Sequence, residues 1–331
     1  MLPQWLIFLA SASAVVLAGI RLSRDGDTIA DRAGLGRGWI GAVLVAGATS
    51  LPELTTNVFA VRQGNASLSA GDLFGSNMIN MLILAVADLS VRRVRVLTRV
   101  AINQALVGAL GICLTALGAL GIILRDSAVG LNLGWTTLAI GVGYLGGMWL
   151  LHQNRSAPPF VPLVEAIEAE KQAPSLPRAA LGFTLGTLLL VLSAPFLASS
   201  AAALAGQARV SIAFVGVALL AVVTSLPEIV VSFSSIRAGS YDLAVGTLLG
   251  SNCFNMAILP VLDIVDGPGA LLATFETSIV VSALFAILLM GQVIIEVLNR
   301  VERRVWHVEP GPTLLVLTYA LGLYLTYRTG H

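Results

Sequence analysis

Apolar residues dominate this chain in long runs, and short polar stretches separate the runs. Each run holds about 18 residues or more, which as a helix crosses the ~30 Å hydrocarbon core of a membrane. The pattern therefore predicts an all-α polytopic membrane protein with ten transmembrane helices. Their expected bounds are 3–20, 39–61, 68–89, 101–124, 131–151, 179–205, 210–236, 243–264, 273–297 and 312–327.

The one long polar interruption divides these helices into two groups of five. It covers residues 152–178, is rich in proline and charge, and is too short to fold as a regulatory domain. We therefore expect a first five-helix repeat over 1–151, a cytoplasmic linker over 152–178 and a second five-helix repeat over 179–331.

Composition supports the membrane interpretation. Hydrophobic residues make up 56% of the chain and charged residues 11%, and the mean hydropathy is +0.89. A soluble domain carries about 25% charge. The net charge of +1 gives no reason to expect a nucleic acid partner. Cys113 and Cys253 both lie in apolar runs, so a disulfide framework is not expected. The first 20 residues contain no Lys or Arg, which favours a first membrane helix over a signal peptide.

The distribution of basic residues predicts the orientation. If the N-terminus lies outside, 15 of the 19 Lys and Arg residues fall in loops on the inner side. These are Arg21, Arg24, Arg32, Arg37, Arg92, Arg93, Arg95, Arg99, Arg155, Lys171, Arg178, Arg237, Arg300, Arg303 and Arg304. Only Arg62, Arg125, Arg209 and Arg328 are then outside. Because cytoplasmic loops are enriched in Lys and Arg, we expect both termini on the outer side.

The two halves share a sequence repeat at a constant offset of 175 residues. The string TSLPE begins at residue 49 and again at residue 224, and the pattern G-S-N-x-x-N begins at residue 75 and again at residue 250. The repeat covers 46–88 and 221–263. Because five is an odd number of helices, the second half enters the membrane upside down relative to the first. This predicts inverted repeats, an architecture of secondary transporters that places the binding site at the membrane midplane.

Each copy of the repeat places a proline and a glutamate near the middle of a membrane helix. Pro52 and Pro227 lack a backbone N–H, which frees carbonyl oxygens about one turn earlier. Glu53 and Glu228 cost about 2.5–3.5 kcal/mol each in hydrocarbon, by analogy with other charged residues. A bound cation offsets both costs, so we predict a cation site here.

Hydroxyl and amide side chains accompany the glutamates at helical spacing. Thr49 and Glu53 are four residues apart, as are Ser76 and Asn80, so each pair shares one helix face. The second copy of the repeat contains both pairs again. All these ligand atoms are oxygens, and Ca²⁺ takes 6–8 oxygen ligands.

Other repeated positions have a structural interpretation. Glycines four residues apart let helices approach closely. The middle asparagine of each G-S-N segment is expected to bond across helices, and the aspartate that closes each repeat is expected to be solvated at a helix end. These positions are Gly71, Gly75, Gly246, Gly250, Asn77, Asn252, Asp88 and Asp263.

These motifs resemble the two alpha-repeats of the sodium/calcium exchanger family, in the cation/calcium exchanger superfamily, and the chain resembles a prokaryotic-type member. The family pattern is G-T-S-x-P-E followed by G-S-N-x-x-N or G-S-N-x-x-D. The resemblance implies a secondary antiporter, not an enzyme, which exchanges Ca²⁺ for Na⁺ by alternating access at a midplane site between helices 2, 3, 7 and 8. It implies transiently bound ions and no resident cofactor. The implied ligands are Thr49, Ser50, Glu53, Ser76, Asn80, Thr224, Ser225, Glu228, Ser251 and Asn255, with the backbone carbonyls of Ala46 and Ala221.

The chain departs from the family pattern around this site. Ala48 and Val223 replace the glycine before T-S, and Asn255 stands where many prokaryotic members carry an aspartate. Asp72 and Thr247 replace the usual asparagine before each second segment. Asp72 lies one turn from Ser76 towards the outer end of its helix, so we expect it in the external access path, where it raises the local cation concentration. A solvated carboxylate at the helix start is the alternative.

Two other functions remain open. A Ca²⁺/H⁺ antiporter, or an antiporter of another divalent cation, would use the same glutamates as proton carriers. A membrane sensor or scaffold would bind ions without flux. An ATP-driven pump is disfavoured because the chain has no G-x-x-x-x-G-K-[ST] loop. We expect Ca²⁺ and Na⁺ or H⁺ as partners, a lipid bilayer as surroundings, no obligatory protein partner, and a bacterial inner membrane as location.

Overall fold

The computed structural model describes residues 2–91, 96–129, 133–153, 174–205, 220–267, 269–299 and 310–329. Within these ranges the chain is helical, apart from turns and one isolated bridge between Ala128 and Gly134. A π-helical turn, Gly41–Val45, joins the second helix to the third. The helices are α1 (Leu2–Ala33), α2 (Arg37–Ile40), α3 (Ala46–Thr49), α4 (Leu51–Arg62), α5 (Ala66–Ser90), α6 (Val96–Arg99), α7 (Gln104–Ile123), α8 (Trp135–Gln153), α9 (Leu176–Ala205), α10 (Ala221–Thr224), α11 (Leu226–Arg237), α12 (Tyr241–Asp266), α13 (Leu271–Thr274), α14 (Ile279–Asn299) and α15 (Pro310–Thr329).

Six helices of the described ranges, α1, α5, α7, α9, α12 and α14, are long and apolar enough to cross a membrane. Large apolar side chains are exposed on the outer helices, for example Leu17, Leu145 and Leu192. The all-α fold is thereby confirmed, whereas ten crossings in two repeats remain a prediction. Most of the expected linker and the start of the expected span at 210–236 lie outside the described residues.

The first helix extends well beyond its expected end at residue 20. It continues to Ala33, so this predicted boundary was wrong. Arg21 and Asp25 form an ion pair of 3.3 Å one turn apart, while Leu22 is buried where α1 packs along α9. The polar residues that follow position 20, such as Arg21 and Asp25, therefore lie on one face of a continuous helix. Gly34 ends it with φ of 64°, a conformation that favours glycine.

The two TSLPE segments break their helices rather than bend them. Ser50 has φ −89° and ψ 3°, and Ser225 has φ −81° and ψ 6°, which separates α3 from α4 and α10 from α11. The following prolines fall in the first turn of α4 and α11, where a missing N–H removes no helical hydrogen bond. Glu53 and Glu228 also lie in these first turns, where the helix dipole favours negative charge.

Close helix packing encloses α12. A Cβ atom added at Gly246 would lie 2.5 Å from the carbonyl oxygen of Gly38, and one at Gly250 would overlap the backbone of Ala42. The prediction that this glycine pair permits close approach is thus confirmed. α5 and α12 are the most enclosed long helices, with 78% and 67% of their most apolar windows buried. They therefore form the centre of the fold.

The aspartates that close the two repeats are buried, so the expectation of solvated helix ends was wrong. Asp88 is 1% exposed and accepts the backbone N–H of Leu97 at 3.3 Å. Asp263 is fully buried and accepts the backbone N–H of Leu271 at 2.7 Å. Each carboxylate thus satisfies the first turn of the short helix that follows, α6 or α13.

Candidate cation site

The two broken helices and the two central helices bring the predicted ligands into one buried cluster. All ten predicted side chains are at most 3% exposed. Hydroxyl groups meet across the halves: Thr49 Oγ1 lies 3.5 Å from Ser251 Oγ, and Thr224 Oγ1 lies 3.5 Å from Ser76 Oγ. These two contacts join equivalent positions of the repeat. The pairing therefore has the pseudo-symmetry that the 175-residue offset describes.

The two glutamates are the carboxylates among the predicted ligands. Glu228 Oε1 accepts hydrogen bonds from Ser251 Oγ at 3.2 Å and from Ser50 Oγ at 3.4 Å. Glu53 is close enough to Glu228 and Asp72 for their negative charges to repel. Like charges in a buried region destabilise each other unless a positive charge or a proton intervenes.

Four asparagines form a hydrogen-bonded network between α5 and α12. Asn80 Nδ2 donates to Asn252 Oδ1 at 2.9 Å, and Asn255 Nδ2 donates to Asn77 Oδ1 at 3.1 Å. Asn252 Nδ2 also donates to the carbonyl of Asn77 at 3.2 Å. The prediction that Asn77 and Asn252 bond across helices is confirmed. As a result, Asn80 and Asn255 both use their amino groups in the network and keep their oxygens free of it.

Several oxygens of this cluster have no hydrogen-bond donor among the described residues. They form two equivalent pairs, Glu53 Oε2 with Glu228 Oε2 and Asn80 Oδ1 with Asn255 Oδ1, each atom being buried. Ser225 Oγ is also without a partner in this part of the chain. A buried polar group without a partner costs about 1–3 kcal/mol, and a charged one more.

The backbone carbonyls of Ala46 and Ala221 remain within helical hydrogen bonds. Ala46 O accepts from Ser50 N at 2.9 Å and from Thr49 Oγ1 at 3.2 Å, and Ala221 O accepts from Ser225 N at 3.1 Å. The carbonyls four residues before the prolines belong to Ala48 and Val223, not to Ala46 and Ala221. Ala221 O also accepts Thr224 Oγ1 at 3.4 Å, so each carbonyl already accepts two hydrogen bonds. The role of Ala46 and Ala221 as ligands stays a prediction.

Asp72 is fully buried, which excludes the solvated alternative in this conformation. Its Oδ1 accepts the hydroxyl of Thr224 at 2.9 Å, and its Oδ2 accepts Asn57 Nδ2 at 2.6 Å. The place of Asp72 in the external access path stays a prediction, whereas its direct contact with a predicted ligand was not expected from the sequence. The physical reason is that Thr224 belongs to the other half of the chain, and intrahelical spacing does not measure that distance.

Asn57 is a site neighbour that the sequence analysis did not identify. It is fully buried, donates to the backbone oxygen of Glu53 at 2.7 Å, and links that glutamate to Asp72. The available signal was its position four residues after Glu53, on the same helix face.

The chemistry of the cluster suits a hard cation. Carboxylate, amide and hydroxyl oxygens are the ligands that Ca²⁺ and similar cations prefer. No group of three or more His, Cys, Asp or Glu that suits a metal occurs within the described ranges. The oxygens of the cluster are therefore mostly neutral, with few carboxylates among them.

Comparison with known proteins agrees with this fold and chemistry. The model of the sodium/calcium exchanger protein family matches residues 3–150 and again residues 178–328. CaxA of Alkalimonas amylolytica, a protein named as an antiporter, is 30% identical over 274 residues, covering 80% of this chain and 82% of CaxA. Inner membrane protein YrbG of Escherichia coli is 26% identical over 261 residues, covering 75% of this chain and 77% of YrbG.

The fold matches solved structures of the sodium-calcium exchanger NCX_Mj. With the crystal soaked in 10 mM Na⁺ and zero Ca²⁺, the TM-score is 0.71 at 17% identity, covering 97% of this chain and 98% of the other. A crystal soaked in 100 mM Na⁺ and 10 mM Sr²⁺ gives 0.70 at 17% identity, with coverages of 97% and 96%. At this identity the likeness establishes the fold alone.

Fold and sequence together define an integral, multi-pass membrane protein of the cation/calcium antiporter class. The chain belongs to the sodium/calcium exchanger family.

Proposed function

We propose that this protein exchanges Ca²⁺ against Na⁺ by alternating access, at the buried cluster that α3, α4, α5, α10, α11 and α12 form. The observation that carries the proposal is the set of donorless oxygens in equivalent pairs, on Glu53 and Glu228 and on Asn80 and Asn255. Cations satisfy such oxygens, and the two carboxylates match the charge of one Ca²⁺. The transported ions are substrates and bind transiently.

Energetics favour this interpretation over a purely structural cluster. Each donorless buried oxygen costs about 1–3 kcal/mol, and the two carboxylates also repel each other. A fold that keeps four such oxygens in two equivalent pairs retains a cost that a bound cation offsets. By contrast, the buried Asp263 accepts several hydrogen bonds and needs no ion.

We further propose ten crossings in two inverted repeats, with both termini outside. The two matched segments of the family model, one in each half, support the repeat. Contacts between loops support alternate crossing: the backbone N–H of Ala101 donates to Asp242, on the predicted inner side. Arg125 donates to the carbonyl of Ala273, on the predicted outer side. The name of YrbG supports a bacterial inner membrane as the location.

Transport in liposomes tests the exchange. Purified protein is reconstituted with Na⁺ inside, diluted into Na⁺-free medium that contains radioactive Ca²⁺, and held at equal pH on both sides. We expect Ca²⁺ uptake that requires the Na⁺ gradient. Uptake that follows a pH gradient and ignores Na⁺ would identify the Ca²⁺/H⁺ alternative. Saturable Ca²⁺ binding without flux would identify a sensor.

Variants of the two glutamates test the site. Glu53→Gln and Glu228→Gln each remove one charge without changing shape, so we expect both to lose Ca²⁺ flux. Glu276→Gln makes the same chemical change at an exposed carboxylate and is the matched control. Wild-type rates in either buried variant would exclude this cluster as the transport site.

A further inference from the structure

The cation cluster is asymmetric at one position, and this inference rests on the proposed function. Asp72 occupies the place that Thr247 occupies in the second half. Thr247 is buried and donates its hydroxyl to Leu243 O of its own helix at 2.8 Å. Asp72 instead accepts a hydroxyl from the opposite half of the chain. At this buried position the first half therefore carries a carboxylate that the second half lacks.

The charge acts on Thr224. This hydroxyl has one proton, and its shortest acceptor is Asp72 Oδ1 at 2.9 Å, compared with 3.1 Å to Leu220 O and 3.4 Å to Ala221 O. A hydroxyl that donates to a carboxylate turns its lone pairs towards any cation beside it, and this hydrogen bond is charge-assisted. The equivalent Thr49 donates to the carbonyl of Ala46 at 3.2 Å and also lies at the carboxylate of Glu228. Thr224 differs because its carboxylate, Asp72, is not one of the ten predicted side-chain ligands.

A second observation points to a ligand beside Asp72. Asn57 is fully buried and gives its amino group to Glu53 O and Asp72 Oδ2, which leaves Asn57 Oδ1 with no donor among the described residues. Glu53 Oε2 is likewise donorless. Buried oxygens next to two mutually repelling carboxylates form a place where a cation is stabilising.

The flanks of the cluster differ accordingly. Asp72 and Asn57 lie one helical turn beyond Ser76 and Glu53, towards the end of the fold where α4 meets α5. On the opposite flank the equivalent positions hold Thr247 and Ser232, which are uncharged. Asn255, at the centre of the cluster, is neutral. The third carboxylate of the cluster, Asp72, therefore lies on one flank and not at the centre.

We propose that Asp72 is a positioning carboxylate for the cation site: it orients the hydroxyl of Thr224 and makes the flank at the α4–α5 end bind Ca²⁺ more strongly than the flank at the opposite end. The α4–α5 end is the outer face in the proposed orientation. The carboxylate of Asp72 thus determines at which face of the membrane the apparent affinity for Ca²⁺ is higher, and transport itself does not require it.

The test measures the apparent KM for Ca²⁺ separately at each face, in vesicles of known orientation. We expect Asp72→Asn to raise the KM at the outer face roughly tenfold, through loss of a charge-assisted bond, and to change the inner face by less than about threefold. Thr247→Val removes a hydroxyl at the matched position and leaves both values unchanged. An equal rise at both faces would overturn the proposal, since a structural role affects both alike.

Two further variants keep the proposal testable if folding suffers. Asp72→Glu retains the charge and should keep most of the Ca²⁺-dependent rise in melting temperature in detergent at a fixed Ca²⁺ concentration, whereas Asp72→Asn should show a clearly smaller rise. Equal losses in both variants would overturn the role of the charge.

The double variant D72T/T247D moves the charge to the other flank and should reverse the ratio of outer to inner KM. An unchanged ratio would contradict the proposal. Failure of wild-type Ca²⁺ flux in a Na⁺ gradient concerns the proposed exchange instead, because the Asp72 comparison reads Ca²⁺ affinity whichever ion drives transport.

Discussion

Asn80 donates its side-chain amide to Oδ1 of Asn252 over 2.9 Å, although the two residues are 172 positions apart in the chain. The equivalent bond, from Asn255 to Asn77, closes the network between α5 and α12. These bonds fix the orientation of the side-chain amides of Asn80 and Asn255. Their oxygens therefore have no hydrogen-bond donor within the described ranges, which leaves them available to a cation.

We predict that Asn77→Ala weakens Ca²⁺ binding as well as stability. The change removes the acceptor of Asn255 and leaves that buried amide without a partner, at a cost of about 1–3 kcal/mol. The released amide no longer holds its oxygen towards the site. Thermal unfolding in detergent, with and without Ca²⁺, measures both effects.

Ser282→Ala is the control for this prediction. Ser282 and Thr326 share a buried hydrogen bond of 3.0 Å between α14 and α15, away from the cation cluster. We expect this variant to lower the melting temperature and to keep the full Ca²⁺-dependent rise. If both variants keep the full rise, the network does not orient the ligands.

We predict that Gly250→Ala is strongly destabilising. The new Cβ would overlap backbone atoms of Ala42, and a rotamer change cannot relieve a clash with backbone. Overpacking of this kind costs about 1–3 kcal/mol. Gly291→Ala is the matched control on α14, because a Cβ there meets no described atom within 4 Å. We expect the control to be neutral or to stabilise by about 0.5–1 kcal/mol. Comparable melting temperatures for the two variants would contradict the close packing of α12.

We predict that cysteines at Arg62 and Arg237 react with impermeant probes from opposite sides of the membrane. Both positions end the second helix of a broken pair, α4 and α11. The proposed inverted repeat would turn these ends in opposite directions. The background carries replacements of Cys113 and Cys253. A cysteine at Glu276 should label from the same side as one at Arg62. Labelling of Arg62 and Arg237 from one side would refute the inversion.

We predict that Asp263→Asn destabilises the fold by about 1.5–3 kcal/mol without changing Ca²⁺ affinity. Asp263 accepts Gly134 N at 2.6 Å, Leu271 N at 2.7 Å and the hydroxyl of Thr137 at 2.5 Å, which tie the start of α8 and α13 to α12. The matched control is Asp266→Asn, at an exposed carboxylate one turn further along. The melting temperature measures the loss of stability, and a Ca²⁺ titration measures the affinity. A loss of Ca²⁺ affinity would place Asp263 in the transport path.

The sequence by itself determined the elements that local chemistry controls. Apolar run length located the central helices α5 and α12 within two residues of their observed ends. The repeat identified Glu53, Glu228 and their hydroxyl and amide neighbours as one set, because an exact offset between two copies is visible without coordinates. The glycine spacing on α12 was likewise interpretable, since a small residue every four positions marks a helix contact.

Only the tertiary structure decided the relationships between distant segments. The polar end of α1 is helical because α9 packs along it. The pattern of residues within α1 does not indicate that α9 lies beside it. The amides of Asn80 and Asn255 are oriented by partners on the opposite central helix. Asp72 contacts Thr224 because two halves of the chain cross there, and the spacing along a helix gives only distances within that helix.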